Sequence, residues 1–141
     1  MYRELITNSA ERQKFAKDLD VYLMKRYKSQ ESTIDGSLGV NISAGHEKFD
    51  FYFRFKPISH FWNPETLVIA SIIFFDQRRS NGTSLLSFLV SVASEFNIKH
   101  IGIELAHTES MITFTKKYGF DNFNDLNWTI SVEQLSKNME K

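Results

Sequence analysis

The chain has 141 residues, with 17 lysines and arginines against 17 aspartates and glutamates, so its formal net charge is zero. That balance removes the bulk electrostatic reason to expect DNA, RNA or an anionic membrane as partner, although a local basic patch stays open. Cysteine is absent, which excludes disulfides and thiolate ligands and fits a reducing compartment.

The length suits one domain, residues 1–141, with a sizeable core. The opening residues Met1-Tyr-Arg-Glu-Leu-Ile-Thr7 contain no apolar stretch of the signal-peptide kind. No apolar run approaches the roughly 20 residues that a membrane span needs. The expectation is a soluble, cytoplasmic protein.

In chain order, residues 1–7 read as a short strand. Asn8 followed by Glu11 has the spacing of a capping box. Phe15, Leu19, Tyr22, Leu23 and Tyr27 then mark the apolar stripe of a helix to about Lys28. Its charged face, with Lys14, Lys17 and Lys25, reads as solvated. Ser29 to Gly36 reads as a loop. Leu38, Val40 and Ile42 alternate as a strand, and Ala44-Gly45-His46 reads as a turn. Phe49, Phe51, Phe53 and Phe55 alternate with polar residues, which gives a strand with one packed face. Pro57 ends it. Ile58 to Pro64 is an aromatic loop, read as a packed connection or, less readily, a pocket wall.

The run Leu67 to Phe75, rich in β-branched and aromatic residues, reads as a buried strand. The polar loop Asp76-Gln-Arg-Arg-Ser-Asn-Gly-Thr83 follows, and then a helix over about 82–96 carrying Leu85, Leu86, Leu89, Val90, Ala93 and Phe96. Ile98 to Leu105 is the next strand. Thr108 caps a further helix with Met111, Phe114 and Tyr118 on one face and Gly119 as its stop. Leu126 to Val132 is the last strand, and residues 133–141 read as a polar, fraying tail. A helix between strands 67–75 and 98–105 implies a parallel crossover. The earlier strands suit an antiparallel meander.

One place suggests chemistry. At the junction of strand 67–75, its loop and the next helix, free helix amides and the positive end of the dipole meet a basic loop, an arrangement able to hold a phosphate or pyrophosphate. Arg78 and Arg79 can neutralise phosphate charge there. The competing reading is a solvated turn that caps a helix.

This order and these residues resemble the GNAT superfamily of acyl-CoA-dependent N-acetyltransferases. The family's loop Gln/Arg-x-x-Gly-x-Gly/Ala corresponds to Gln77-Arg78-Arg79-Ser80-Asn81-Gly82, with Ser80 in place of the first glycine. Leu85-Leu86 matches a leucine pair that opens the family's helix. The family's Phe-Tyr-Glu-Lys-Leu-Gly-Phe corresponds to Phe114-Thr-Lys-Lys-Tyr-Gly-Phe120. The sparse loop glycines and His107 just after a strand are similar to bacteriophage-encoded members, which would place the protein in a host cytoplasm.

The resemblance implies a mixed α/β fold. Its central sheet is mostly antiparallel, with one parallel, splayed strand pair and flanking helices. It implies acetyl-CoA as co-substrate, no metal and an unidentified amine acceptor, small molecule or protein; a homodimer stays open. It implies cofactor binding by loop amides and side chains at Gln77, Arg78, Arg79, Ser80, Asn81, Gly82 and Thr83. Ile72, Ile73 and Phe74 match the strand that pairs with pantetheine.

Amide formation needs a neutral amine, a polarised thioester carbonyl and a proton for the leaving thiolate. The family's proton-donating tyrosine falls on Thr115, whose alcohol is too weakly acidic to replace it, and Tyr118 reads as core. Glu104, a carboxylate inside the apolar run Ile101 to Ala106, is the leading candidate base, with a structural salt bridge as the competing reading. His107, at the end of the same strand, is the second candidate, against a surface or capping role. His46, His60 and His100 do not form a metal spacing. The reading is therefore an N-acetyltransferase or, alternatively, a catalytically weak CoA-binding or protein-interaction module of the same fold.

Overall fold

A computed structural model of the chain describes residues 2–74, 80–104, 106 and 108–140, with the backbone alone for 2–9, 35–38 and 80. Its first element is a single helix, α1 (Tyr2–Tyr27). The expected strand over 1–7 is helical from Tyr2 onward, and Asn8 lies inside the helix, so Asn8 and Glu11 are no capping box. Tyr2–Tyr27 holds neither glycine nor proline, so nothing stops a helical turn from propagating through it.

Four strands follow: β1 (Ile34–Leu38), β2 (Asn41–His46), β3 (Phe49–Phe55) and β4 (Thr66–Phe74). They form an antiparallel meander. Two expectations fail here. Leu38, Val40 and Ile42 do not share a strand: Gly39 has φ 63° and, with Val40, turns the chain between β1 and β2. Ala44-Gly45-His46 is the end of β2, and the reversal falls at Glu47-Lys48. In β3 the four phenylalanines are buried against Phe15, Leu19 and Leu23 of α1, as their alternation predicts.

Next come α2 (Ser80–Ala93), β5 (His100–Ile103), α3 (Glu109–Lys117), β6 (Asp121–Asn124), β7 (Asn127–Ser131) and α4 (Val132–Met139). All strands join one seven-stranded sheet in the order β1-β2-β3-β4-β5-β7-β6. Among the described residues only β4 and β5 run parallel, from Thr66 opposite His100 to Ile69 opposite Ile103. This is the mixed, mostly antiparallel architecture that the resemblance implies.

The helix α4 replaces the expected fraying tail. Ser131 caps it by accepting from the Gln134 amide (3.1 Å), and Leu135 is fully buried. Phe15 of α1, Leu89 of α2 and Leu135 of α4 enter one core with the inward face of the sheet. On the opposite face, Arg54, Val68, Gly102 and Thr129 form a row across β3, β4, β5 and β7. The Trp62 ring lies directly on Gly102, where a β-carbon would overlap it.

The end of α1 is tied to the start of β1 through Asp20. Its Oδ1 accepts from the Thr33 amide and hydroxyl, both at 2.7 Å, and its Oδ2 from the Ser32 hydroxyl at 2.7 Å. Burial opposes ionisation, but these donors outweigh it and hold the carboxyl below its ordinary value. A carboxyl depressed on folding contributes stability that is present above its unfolded value and lost as pH falls through its folded one. Asp20→Asn is therefore expected to lower the unfolding free energy measured in urea at neutral pH by about 1–2 kcal/mol. The difference from the parent should shrink below about pH 4. A difference independent of pH would show that the charge on Asp20 contributes nothing.

Candidate functional site

The site forms where the parallel pair separates. Its last bond runs from the Glu104 amide to the Ile69 carbonyl (3.0 Å). β4 continues to Phe74, whereas the other chain turns away and the Ala106 amide donates to Leu126 (2.8 Å), beside the β6–β7 turn. Among the described residues no strand pairs with β4 on that side beyond Ile69.

A bulge accompanies the separation. Phe53 lies opposite Ile69 but Tyr52 lies opposite Ser71, so Ala70 is an extra residue in β4. An inserted residue bends and twists its strand. It also resets the alternation. Ile72 and Phe74 pack against the helix-side core with Ile69, while Ser71 and Ile73 are exposed. The apolar run 67–75 is thus buried throughout only in its first half.

Two cavities flank the bent end of β4. The smaller, about 320 Å³, fills the gap itself, between Ile69 to Ile73, Ile103, Glu104, Ala106, Thr108 and Met111. The larger, about 450 Å³, lies between Ile72 to Phe74, Gly82 and Thr83 of α2, and Thr108, Ser110, Met111, Phe114, Lys117 and Tyr118 along α3. Ile72, Ile73, Thr108 and Met111 border both.

Five of the residues expected to bind cofactor therefore meet on one wall: Ile72, Ile73, Phe74, Gly82 and Thr83. The helix begins at Ser80, earlier than expected, so Ser80, Asn81, Gly82 and Thr83 form its first turn. The dipole is positive at that end, and first-turn amides are the ones that helical bonding leaves for other acceptors. The Asn81 side chain does not face the cavity; it is buried, and its Oδ1 accepts from Arg26 Nη2 of α1 (3.1 Å). Gln77, Arg78, Arg79 and His107 lie outside the described residues. Gly82 has a packing reason to be glycine: a β-carbon there would lie 2.5 Å from Phe114 Cε2.

α3 supplies the facing wall, and Tyr118 is buried in the core as its place on the apolar stripe predicts. Thr108 caps it as expected, accepting from the Met111 amide (3.2 Å), and Gly119 follows it with φ 81°. Met111, Phe114 and Tyr118 do share a face, but that face borders the cavity, with Lys117 beside it. The Tyr118 hydroxyl hydrogen-bonds the Thr83 hydroxyl across to α2. Helical spacing says that these residues share a side; it does not say whether core or cavity lies opposite. Thr115 is fully buried and donates to the Ile112 carbonyl (2.7 Å), bordering neither cavity.

Glu104 borders the gap with its side chain 18% exposed. The salt bridge weighed from the sequence is there too: Arg54 Nε and Nη2 donate to Glu104 Oε1 and Oε2, each at 3.3 Å. Arg54 also donates to Asn41 Oδ1 (3.3 Å) and lies 5.4 Å from the Tyr52 ring centroid. Glu104 is thus both a gap residue and half of an ion pair. Among the described residues no cluster of three or more histidines and carboxylates could hold a metal. Among the same residues no helix is long and apolar enough to cross a membrane.

No family model matches the chain, and no curated protein matches it in sequence. Among solved structures it is similar to BjaI, a CoA-dependent acyl-homoserine lactone synthase determined with SAM and isopentyl-CoA. The identity is 11% and the TM-score 0.40, over 98% of this chain and 83% of that one. That likeness is too low to carry chemistry from one protein to the other.

Proposed function

We propose that the protein is an acyl-CoA-dependent N-acyltransferase that transfers acetyl from acetyl-CoA directly to a primary amine. The observation that carries this reading is the gap between β4 and β5, which shares Ile72, Ile73, Thr108 and Met111 with a cavity bounded by the first turn of a helix. In this reading the amides at Asn81, Gly82 and Thr83 take the pyrophosphate, supported by Gln77, Arg78, Arg79 and Ser80. The pantetheine arm lies along β4 at Ile72, Ile73 and Phe74. The thioester then lies in the gap beside Glu104.

Glu104 takes the proton that frees the amine, with His107 as the second candidate. Thr115 is turned into its own helix, and the Tyr118 hydroxyl is held at Thr83, away from the gap, so the leaving thiolate draws its proton from solvent. The alternative, a CoA-binding module without efficient transfer, is favoured by the same turned-in Thr115. The two readings separate on thiol release from acetyl-CoA with a panel of primary amines. The enzyme reading expects amine-dependent CoA release with N-acetyl product. Saturable acetyl-CoA binding with no amine-dependent release would leave the binding module standing.

A further inference from the structure

The gap is lined from both faces of the sheet. On the helix side it shares Ile72, Ile73, Thr108 and Met111 with the larger cavity. On the other side lie the Glu104 carboxylate and the Arg54 guanidinium, the latter 35% exposed. Ser71 and Ile73 are exposed beside them, on the side that the Ala70 bulge turns away from the core.

This ion pair is only loosely closed. Its contacts, 3.3 Å each, exceed the roughly 2.7–2.9 Å of a tight guanidinium–carboxylate fork. Arg54 Nη1 and Nη2 each make one such contact, and a guanidinium carries five N–H donors in all. Two N–H groups therefore point to none of the described residues. The Tyr52 ring lies against the guanidinium and Asn41 accepts from it, so the fork is held in orientation. Arg54 lies just outside the lining of the gap, paired to the Glu104 that borders it, and a held, partly exposed cation beside a gap carboxylate complements a ligand that carries both charges.

We infer that the acceptor is a zwitterion of the amino-acid type, its carboxylate on Arg54 and its amine on Glu104. The inference rests on the transferase reading above and narrows its acceptor class. The incoming ammonium gives one proton to Glu104. The freed nitrogen pair attacks the thioester carbon, the new C–N bond forms and the C–S bond breaks. The sulfur leaves with its electron pair and takes a proton from solvent. The nitrogen's surplus proton and the proton on Glu104 both pass to solvent. The sum is amine, as its ammonium, plus acetyl-CoA giving amide, CoA thiol and one proton.

The test needs no variant at first. The parent chain is assayed for CoA thiol release with free amino acids, their carboxamides and the matching decarboxylated amines, beside a titration with acetyl-CoA alone. The expected result is a kcat/KM for at least one free amino acid about ten- to hundred-fold above its carboxamide, the margin of a charge-assisted hydrogen-bond pair. Arg54→Gln should narrow that ratio toward unity, with Arg54→Lys intermediate. Turnover of amines with the carboxamide or decarboxylated form equal or better overturns the zwitterion while leaving the transferase reading intact. No binding of acetyl-CoA by the parent overturns both. Should Arg54→Gln fail to fold, the parent's ratio decides alone.

Discussion

Glu104→Gln is expected to lower turnover about a hundredfold or more while leaving acetyl-CoA affinity unchanged. The effect is large because a positioned base is worth about two to four orders of magnitude and an amide cannot take the amine's proton. Affinity is preserved because Glu104 borders the gap but not the larger cavity, where the proposed phosphate contacts lie. The substitution also removes the charge pairing with Arg54, yet both side chains reach solvent, so the stability cost should stay within about 1 kcal/mol. A melting curve beside the assay separates the two effects. Thr115→Ala is the internal control: its hydroxyl serves only its own helix, so turnover should survive. His107→Ala tests the second candidate. Full activity in both Glu104→Gln and His107→Ala would mean that neither side chain is the base.

Gly82→Asp should weaken acetyl-CoA binding about a hundredfold or more, for two separable reasons. A carboxylate in the first turn of α2 faces the phosphates that the amides would hold. Two unit charges about 4 Å apart repel by about 4 kcal/mol at an effective dielectric near 20. Any side chain here also meets Phe114, whose ring fills the space of a β-carbon. Gly82→Ala isolates that second effect, and Phe114→Leu relieves it by giving the ring's space back. The expected outcome is near-parent binding for Gly82→Ala in the Phe114→Leu background, with Gly82→Asp still weak there. If Gly82→Asp melts like the parent and binds acetyl-CoA as tightly, the first turn of α2 does not hold the phosphates.

Where the sequence carried a periodic signal, it was legible. The alternating phenylalanines of β3 point inward as their spacing requires, and the strand–helix–strand order forced the parallel pair β4–β5. It failed where a pattern was absent or crossed a turn. The residues of β6 are all exposed, so no alternation marks them. Leu38, Val40 and Ile42 keep a strand's period straight through the turn at Gly39. The cap of α4 was readable in Ser131 and Gln134, with Val132, Leu135 and Met139 at helical spacing, but the tail's polarity outweighed it.

The site was legible in part for the same reason. Ile72 to Phe74, Gly82 and Thr83 stand where a strand gives way to a helix, and local order places them together. The partner of Glu104 is fifty residues away in sequence, and no local pattern could have chosen Arg54 among the cations. The Ala70 bulge left no trace either, because Ile69, Ile72 and Ile73 are equally apolar whichever face they take.

The central claim is that the cavity beside α2 and the bent end of β4 holds acetyl-CoA. A calorimetric titration of the parent chain with acetyl-CoA tests it most directly, repeated in rising salt. The account predicts saturable binding of one molecule per chain, weakening with salt as phosphate contacts are screened. An absence of saturable heat, with the chain folded by its melting curve and no shift of that curve by acetyl-CoA, would contradict it.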